Sequence, residues 1–393
     1  MTGSTGPGQP VPRQAVPGPH NQDGGDADLP CLLDLDGVQF TASGRAAILL
    51  GLEALALPTG ARVLVPSYHC PTMVSPALAL GLQVGFYPIT PEGRPDLAWL
   101  DQHLPVDARV ICVAHLFGLP LDLSDVQAWC RRRGMLLLED CAHAMFGPVG
   151  RQGDIVIASL PKFFAALDGG LLRSRAPAAT RALQPLGALR ELRAWLDSLE
   201  ISARHGRLGR WRWWAGPLLA LKLALRRSPT PAPAKPPPTP AARPQFDASG
   251  EYARIDVAAC QRAASATSRR AASEARRGPV VARRRAHYAA YAQAFAGRAG
   301  LRPLMPALPG DAVPYVFPLW MDEPEAAYEA ARAQGLPVSR WDWLWPGVPD
   351  LPGDQGKRWS VHVLQLHCHQ DLSADQRQRI IDTLLPPAPS PAS

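Results

Sequence analysis

The chain has 393 residues, 47% of them hydrophobic, which is enough to bury a sizeable core over two domains and too apolar for wholesale disorder. Its 41 Lys and Arg against 34 Asp and Glu leave a formal net charge of +7, a mild and locally concentrated excess that argues against nucleic acid as a partner. Seven cysteines with no CxxC pair and no even, closely spaced framework predict reduced thiols and a cytoplasmic protein.

Residues 1–30 are rich in Gly, Pro and polar groups, lack the apolar core of a signal peptide, and are expected to form a disordered tail. Residues 31–175 read as a large α/β domain. Within it "TASGRAAILLGLEALAL" is an amphipathic helix opened by Ser43-Gly44. Such a head presents backbone N–H groups at the positive end of the helix dipole and suits a phosphate, although a serine cap with no ligand accounts for the same residues. The apolar runs "RVLVPSY", "QVGFYPI", "RVICVAHLFG", "MLLLED" and "DIVIASL" then alternate with helical stretches. Runs apolar on both faces and separated by helices predict a mostly parallel sheet covered by helices on both sides. Ligands of such sheets bind beyond the carboxyl ends of the strands. Tyr68, His69, His115, Glu139, Asp140 and Ser159 fall at those ends.

Residues 176–228 form a helical segment rich in Arg and Trp. Its stretch 204–227, "RHGRLGRWRWWAGPLLALKLALRR", either lies on an anionic membrane surface as a peripheral contact or packs on its own domain with a solvated basic face. Its uncharged run is too short to span a bilayer. Residues 229–246 are a proline-rich linker, which cannot form helix or central strand because proline lacks the backbone donor. Residues 247–386 read as a smaller C-terminal α+β domain, followed by a tail at 387–393. The basic helix "RRRAHYAAYAQAF" in it is expected to turn most of its arginines to solvent. "RWDWLWP", at 340–346, reads equally as a substrate wall and as a packed aromatic core. His362, His367 and His369 cluster around Cys368, but no second ligand cluster accompanies them and no metal site is expected.

The stretch "ASLPKFFAALDGGLL" holds one lysine, Lys162, among apolar residues, where an ammonium group is costly to bury. "MLLLEDCAHAMFG" ends a buried strand on an acidic pair, which needs a cation or a donor as partner unless the carboxylate only caps the next turn. A strand-end Asp140, then 22 residues later a lone lysine preceded by serine and followed by Gly-Gly, is the set that pyridoxal 5'-phosphate requires. The lysine amine condenses with the cofactor aldehyde, the aspartate keeps the pyridine nitrogen protonated, and the helix head binds the phosphate. Burial then serves the chemistry, since desolvation favours the neutral, nucleophilic amine.

With "SGRAAI", "VLVPSYHCPTMVSPALALGLQVGFYPI", "HLFGLPLDLSDVQAWCRRRGMLLLEDCAHAMFG", Gly153-Asp154, "PKFFAALDGG", "RRRAHY", "YVFPLW" and "VLQLHCHQDLS" in this order, the chain resembles the DegT/DnrJ/EryC1/StrS family of sugar aminotransferases from about residue 37 to 386. The resemblance implies the fold of a fold-type-I pyridoxal-phosphate transferase and an aminotransferase acting on a nucleotide-linked keto sugar with an amino acid, glutamate, as donor, in polysaccharide or aminosugar biosynthesis. It implies a homodimer with active sites between protomers. By the same resemblance Lys162 is the catalytic lysine, Asp140 pairs with the pyridine nitrogen, His143 lies near the ring, and Ser159, Gly44 and Arg45 contact the phosphate. Ser159 stands three residues before the lysine where the commoner spacing is five. Cys70 stands where the family often has an aromatic stacking on the ring, so Tyr68, His69 or Cys70 must share that role. Tyr252, in "GEYARI", replaces the asparagine that reaches the neighbouring subunit's phosphate. These departures keep another pyridoxal-phosphate reaction on a sugar or amino acid open, and beside it a non-catalytic, membrane-associated scaffold on the same fold.

Overall fold

The apolar runs become strands because each is flanked by a turn signal and a helix that covers it. The computed structural model describes residues 11–17, 29–175, 181–209, 212–226 and 255–385. In chain order its first half consists of β1 (Gln39–Thr41), α1 (Gly44–Ala54), β2 (Arg62–Pro66), α2 (Ser75–Ala79), β3 (Gln83–Tyr87), α3 (Leu97–His103), β4 (Ala108–Ala114), α4 (Ser124–Arg133), β5 (Leu136–Asp140), β6 (Ile155–Ser159) and β7 (Gly170–Ser174). These strands form one seven-stranded sheet in the order β1-β7-β6-β5-β4-β2-β3. β2 to β6 pair in parallel, while β7 runs antiparallel to both β6 and β1. The sheet is the mostly parallel, helix-covered one that the alternation predicts. β1 and β7 were not legible: β1 is too short for a pattern, and β7 opens on the glycines that follow the lysine.

The second half holds α5 (Ala188–Arg204), α6 (Arg212–Arg226), α7 (Val257–Cys260), α8 (Ala266–Ser273), α9 (Arg277–Phe295), β8 (Leu301–Pro303), β9 (Val316–Met321), α10 (Glu325–Ala333), β10 (Val338–Ser339), α11 (Gly356–His362), β11 (Val363–His367) and α12 (Ala374–Leu384). An antiparallel sheet in the order β10-β11-β9-β8 packs Phe317, Leu319 and Leu366 against Tyr288, Tyr291 and Phe295 of α9 and Ile380 and Ile381 of α12. Val316, Trp320, Trp359 and Val363 join the core of the large sheet, so the two sheets share one apolar boundary.

Residues 11–17, expected within a disordered tail, are a correction to that reading. Val11, Ala15 and Val16 are buried, Pro12 O accepts from His369 Nε2 at 2.8 Å, and Val16 N–H donates to Asp371 Oδ2 at 2.9 Å. This strap occupies one member of the histidine cluster. Nor does α6 stand free: Lys222 is buried and bridges Asp197 at 2.5 Å and Glu200 at 2.6 Å on α5, while Trp213 stays exposed. No helix among the described residues is long and apolar enough to cross a membrane. Tyr252, the linker at 229–246 and the tail at 387–393 lie outside the described residues.

Candidate active site

β5 ends on two carboxylates whose side chains, by the alternation of a strand, leave on opposite faces. Glu139 accepts from His115 Nε2 at 3.0 Å and from the N–H groups of Gly150, Gln152 and Gly153 at 2.6, 3.0 and 2.8 Å. Burial alone would raise its pKa, but those donors bring it down to about 2. His115 is fixed in turn, because Leu121 N–H donates to its Nδ1 at 2.9 Å and leaves Nε2 to donate to Glu139. His115, Glu139 and Cys141 come within metal-ligating reach of one another, yet these bonds already use the ring and both carboxylate oxygens. Asp140 is treated differently. Its Oδ1 accepts from Ala142 N–H at 2.7 Å, burial raises its pKa, and the nearby charge of Lys162 opposes the rise.

Lys162 closes a single helical turn, Leu160–Lys162, that follows β6 directly. Burial lowers its affinity for a proton, and the charges of Cys70 and Asp140 act against that. Its Nζ stands 5.4 Å from the ring centre of Tyr315. The Asp-Gly-Gly after it is explained by packing. Asp168 Oδ1 accepts from Ser265 Oγ at 2.9 Å, and Gly169 N–H donates to Ala42 O at 3.0 Å. A Cβ on Gly170 would fall 2.5 Å from Ser43 C and 2.6 Å from Gly44 N, so only glycine lets β7 lie this close under the head of α1. At that head Ser43 Oγ accepts from Ala46 N–H at 3.1 Å, and Ser159 Cβ lies 3.5 Å from where a Cβ on Gly44 would sit.

These pieces line one cavity of about 540 Å³. Of the candidate residues, Lys162, Asp140, His143, Ser159, Gly44, Arg45 and Cys70 face it. His143 is neutral there, since burial holds it well below the ordinary imidazole value, and Phe117 N–H donates to its Nδ1 at 3.3 Å. Its ring lies 4.5 Å from Tyr315 and 5.1 Å from Trp341. Tyr68 and His69 are corrected: neither faces the cavity. Tyr68 is fully buried, accepts from Gln365 Nε2 at 3.0 Å, and packs 4.9 Å from Trp341 and 5.5 Å from Trp359. His69 Nδ1 bonds Pro66 O at 2.9 Å, and its Nε2 accepts from Trp345 N–H at 3.1 Å. Both residues therefore hold the 341–345 loop against the β2 exit, and Trp341 from that loop supplies an aromatic wall of the cavity.

Met73, Leu116, Ile157, Trp341, Ile255 and Cys260 also line the cavity, and sequence reasoning singled out only the Trp341 cluster. The apolar members carry no polar signal that could have found them. The residues fit pyridoxal phosphate on physical grounds. An amine and a carboxylate whose charges both resist burial share one cavity with a glycine-cradled helix head, and its volume lies in the usual range for cofactor sites.

Comparison with known proteins agrees with this geometry. Residues 36–189 match the model of the DegT/DnrJ/EryC1/StrS aminotransferase family. The chain is 31% identical over 117 residues, 28% of it and 31% of the relative, to the UDP-N-acetyl-3-dehydro-alpha-D-glucosamine 3-aminotransferase of Acidithiobacillus ferrooxidans. It is 36% identical over 108 residues, 26% of it and 28% of the relative, to the erythromycin biosynthesis sensory transduction protein EryC1 of Saccharopolyspora erythraea. These matches span about a third of the relatives' own length. Over 88% of the chain the fold is that of the aminotransferase TlmJ from Streptoalloteichus hindustanus, at a TM-score of 0.56 and 22% identity over 84% of that protein. NtdA from Bacillus subtilis, solved with bound PMP, shares the fold over the same 88% at a TM-score of 0.57, with 16% identity and 72% of its own chain covered. The matched segment contains Lys162, Asp140, His143, Ser159, Gly44, Arg45 and Cys70, and over residues 36–189 this chain is similar to the DegT/DnrJ/EryC1/StrS aminotransferase family.

Proposed function

We propose that the chain is a pyridoxal-phosphate-dependent aminotransferase that moves an amino group from an amino acid, glutamate, to a keto sugar carried on a nucleotide, in polysaccharide or aminosugar biosynthesis. The observation that carries this reading is the convergence of Lys162, Asp140 and the head of α1 on one cavity. The names of the relatives support the substrate class, since they include a UDP-sugar 3-aminotransferase and a dTDP-sugar 4-aminotransferase.

When bound, the cofactor supplies an aldehyde for amines and a ring that accepts electrons from the carbon losing its proton. Asp140 would hold the ring nitrogen, and Ser159 with the Gly44 and Arg45 N–H groups would hold the phosphate. Lys162 Nζ would take and return the proton at the reacting carbon, a general acid–base contribution of roughly 10²–10⁴-fold. Its lowered proton affinity keeps more of it in the neutral form that can accept. Neutral His143 offers an Nε2–H donor towards the cavity without adding charge. Ile157, Met73 and Trp341 exclude water. The working form in this reading is a cytoplasmic homodimer, with any peripheral membrane contact through 204–227 a separate property.

Cys70 in place of a ring-stacking aromatic favours a second reading, another pyridoxal-phosphate reaction on a sugar or amino acid. Incubation of the purified chain with glutamate and nucleotide-linked keto sugars decides between them. Formation of 2-oxoglutarate and an aminosugar in equal amounts is the expected result. Turnover of either compound without 2-oxoglutarate would select the second reading, and turnover undiminished in Lys162→Ala would remove both.

A further inference from the structure

Arg284, on α9, is fully buried, and the structure gives its guanidinium four oxygen acceptors, none of them a carboxylate. It donates through one Nη to Lys162 O at 2.7 Å and Phe163 O at 3.4 Å, through the other to Pro314 O at 3.1 Å, and through Nε to Gln370 Oε1 at 3.1 Å. Its Cζ lies 4.5 Å from the centre of the Phe163 ring. Gln370 closes the network by donating from Nε2 to Phe163 O at 3.0 Å. A charge whose hydrogen-bond acceptors are all neutral is expensive inside a protein, and burial presses on this one, lowering the Arg284 pKa to about 10 against the nearby charges of Cys368, Tyr315 and Asp371. A residue that only filled space there would not need to be charged. The rigid fork is the feature that matches the site, because several N–H groups in one plane reach backbone oxygens on two separate segments at once.

We infer that Arg284 is a positioning residue for Lys162: it clamps the carbonyls of Lys162 and Phe163 to the β9 entry and to the loop after β11, and so fixes the direction in which the lysine side chain enters the cavity. The clamp reaches across 122 positions of sequence, from the C-terminal half to the turn that follows β6. The turn needs such a hold. Its single helical turn has a proline at its start and no side-chain cap, and the chain then departs through Phe163 and Phe164 toward the glycines of β7. The inference rests on the reading that Lys162 is the reacting amine.

The test reads the Lys162 amine in the cofactor-free protein, by competitive acetylation with acetic anhydride across a range of pH and quantitative mass mapping of the Lys162 peptide. The charged and titratable groups around that amine are Cys70, Asp140, His143, Tyr315 and His367, and none of them is altered. Arg284→Met keeps length and apolar contact but no donor. It is expected to release the turn, open the amine to water and move the midpoint of labelling upward, so that the labelled fraction at fixed pH below that midpoint falls about tenfold. Arg284→Lys keeps the charge without the fork and should resemble Arg284→Met; full recovery there would assign the effect to charge and overturn the positioning role. Gln370→Leu, which leaves Arg284 in place and is milder for folding, should move the midpoint in the same direction by less. A wild-type midpoint in a folded Arg284→Met protein, or in Gln370→Leu should Arg284→Met fail to fold, overturns the inference. Binding of 4'-deoxypyridoxine phosphate, which lacks the aldehyde, separates the two claims. Wild-type protein that does not bind it argues against the proposed function, whereas a labelling shift in the variants stands without it.

Discussion

Two exits from the same sheet carry similar polar sequences and do opposite things. At the β2 exit, Ser67, Tyr68 and His69 are consumed by structure: Ser67 Oγ donates to Asp354 Oδ1 at 2.6 Å, Tyr68 is bonded by Gln365, and His69 is bonded on both ring nitrogens. At the β5 and β6 exits, Asp140 and Lys162 line a cavity instead. Neighbours on β5 repeat the contrast at the scale of one residue, since Glu139 accepts four strong donors while Asp140, one position on, has its proton affinity raised by burial. A polar residue at a strand end is therefore a ligand candidate only when the local backbone does not use it first.

The sharpest way to break this comparison is at the lysine. Lys162→Ala should lower transamination by roughly 10²–10⁴-fold or more and leave the unfolding transition cooperative. Glu139→Gln should do the reverse. It turns an amide N–H₂ toward donors that require an acceptor, and loss of about 3–5 kcal/mol of stability is expected in denaturant titration. Asp140→Asn should lose activity without losing stability, because a neutral amide is easier to bury than a carboxylate already resisting burial. A stability loss in Asp140→Asn equal to that in Glu139→Gln would erase the distinction between the two carboxylates.

Smaller effects sharpen the account at the helix head and the latch. Gly170→Ala must displace Ser43 or Gly44, so about 1–3 kcal/mol of stability and much of the phosphate affinity should go together, seen in thermal melts and in inorganic phosphate titration. His69→Phe keeps the contact with Phe86 but strands the Trp345 N–H, a cost of about 1–3 kcal/mol. It should alter Trp341 fluorescence while leaving capture of cofactor at Lys162 intact.

Titration is the mildest perturbation. Burial holds His69, His287 and His367 at about 4, below the ordinary value of 6.5, so between those values the folded chain binds fewer protons than the unfolded one. Stability is therefore lost as pH falls through this window, slightly at first, and Glu139 adds its own loss from 4.5 down to about 2. Asp140 works the other way, since its raised pKa makes the folded form the better proton binder. His69→Phe should give a shallower fall in melting temperature between pH 6.5 and 4 than the parent protein.

The meeting of Asp140 and Lys162 at one buried cavity was legible because each is costly where the pattern of the sheet puts it. The parallel strands were legible for the same local reason, in that their apolar runs are continuous. What escaped was long-range pairing. His69 finds Trp345 across 276 positions, Tyr68 finds Gln365 across 297, and the strap at 11–17 is held by His369 across 357. No local signal announces a partner that distant. Arg284 escaped for a related reason, as it sits in a run of arginines in a helix that reads as solvated, and only the packed structure distinguishes it from its neighbours.

The central claim is that Lys162 is the reacting amine of a pyridoxal-phosphate site, and the most direct measurement is borohydride reduction of the protein after incubation with pyridoxal phosphate, followed by mass mapping. The account predicts one modified peptide, carrying the cofactor on Lys162, and no comparable modification in Lys162→Ala. Cofactor fixed on Lys222 or Lys357 instead, or none retained at all, would contradict it.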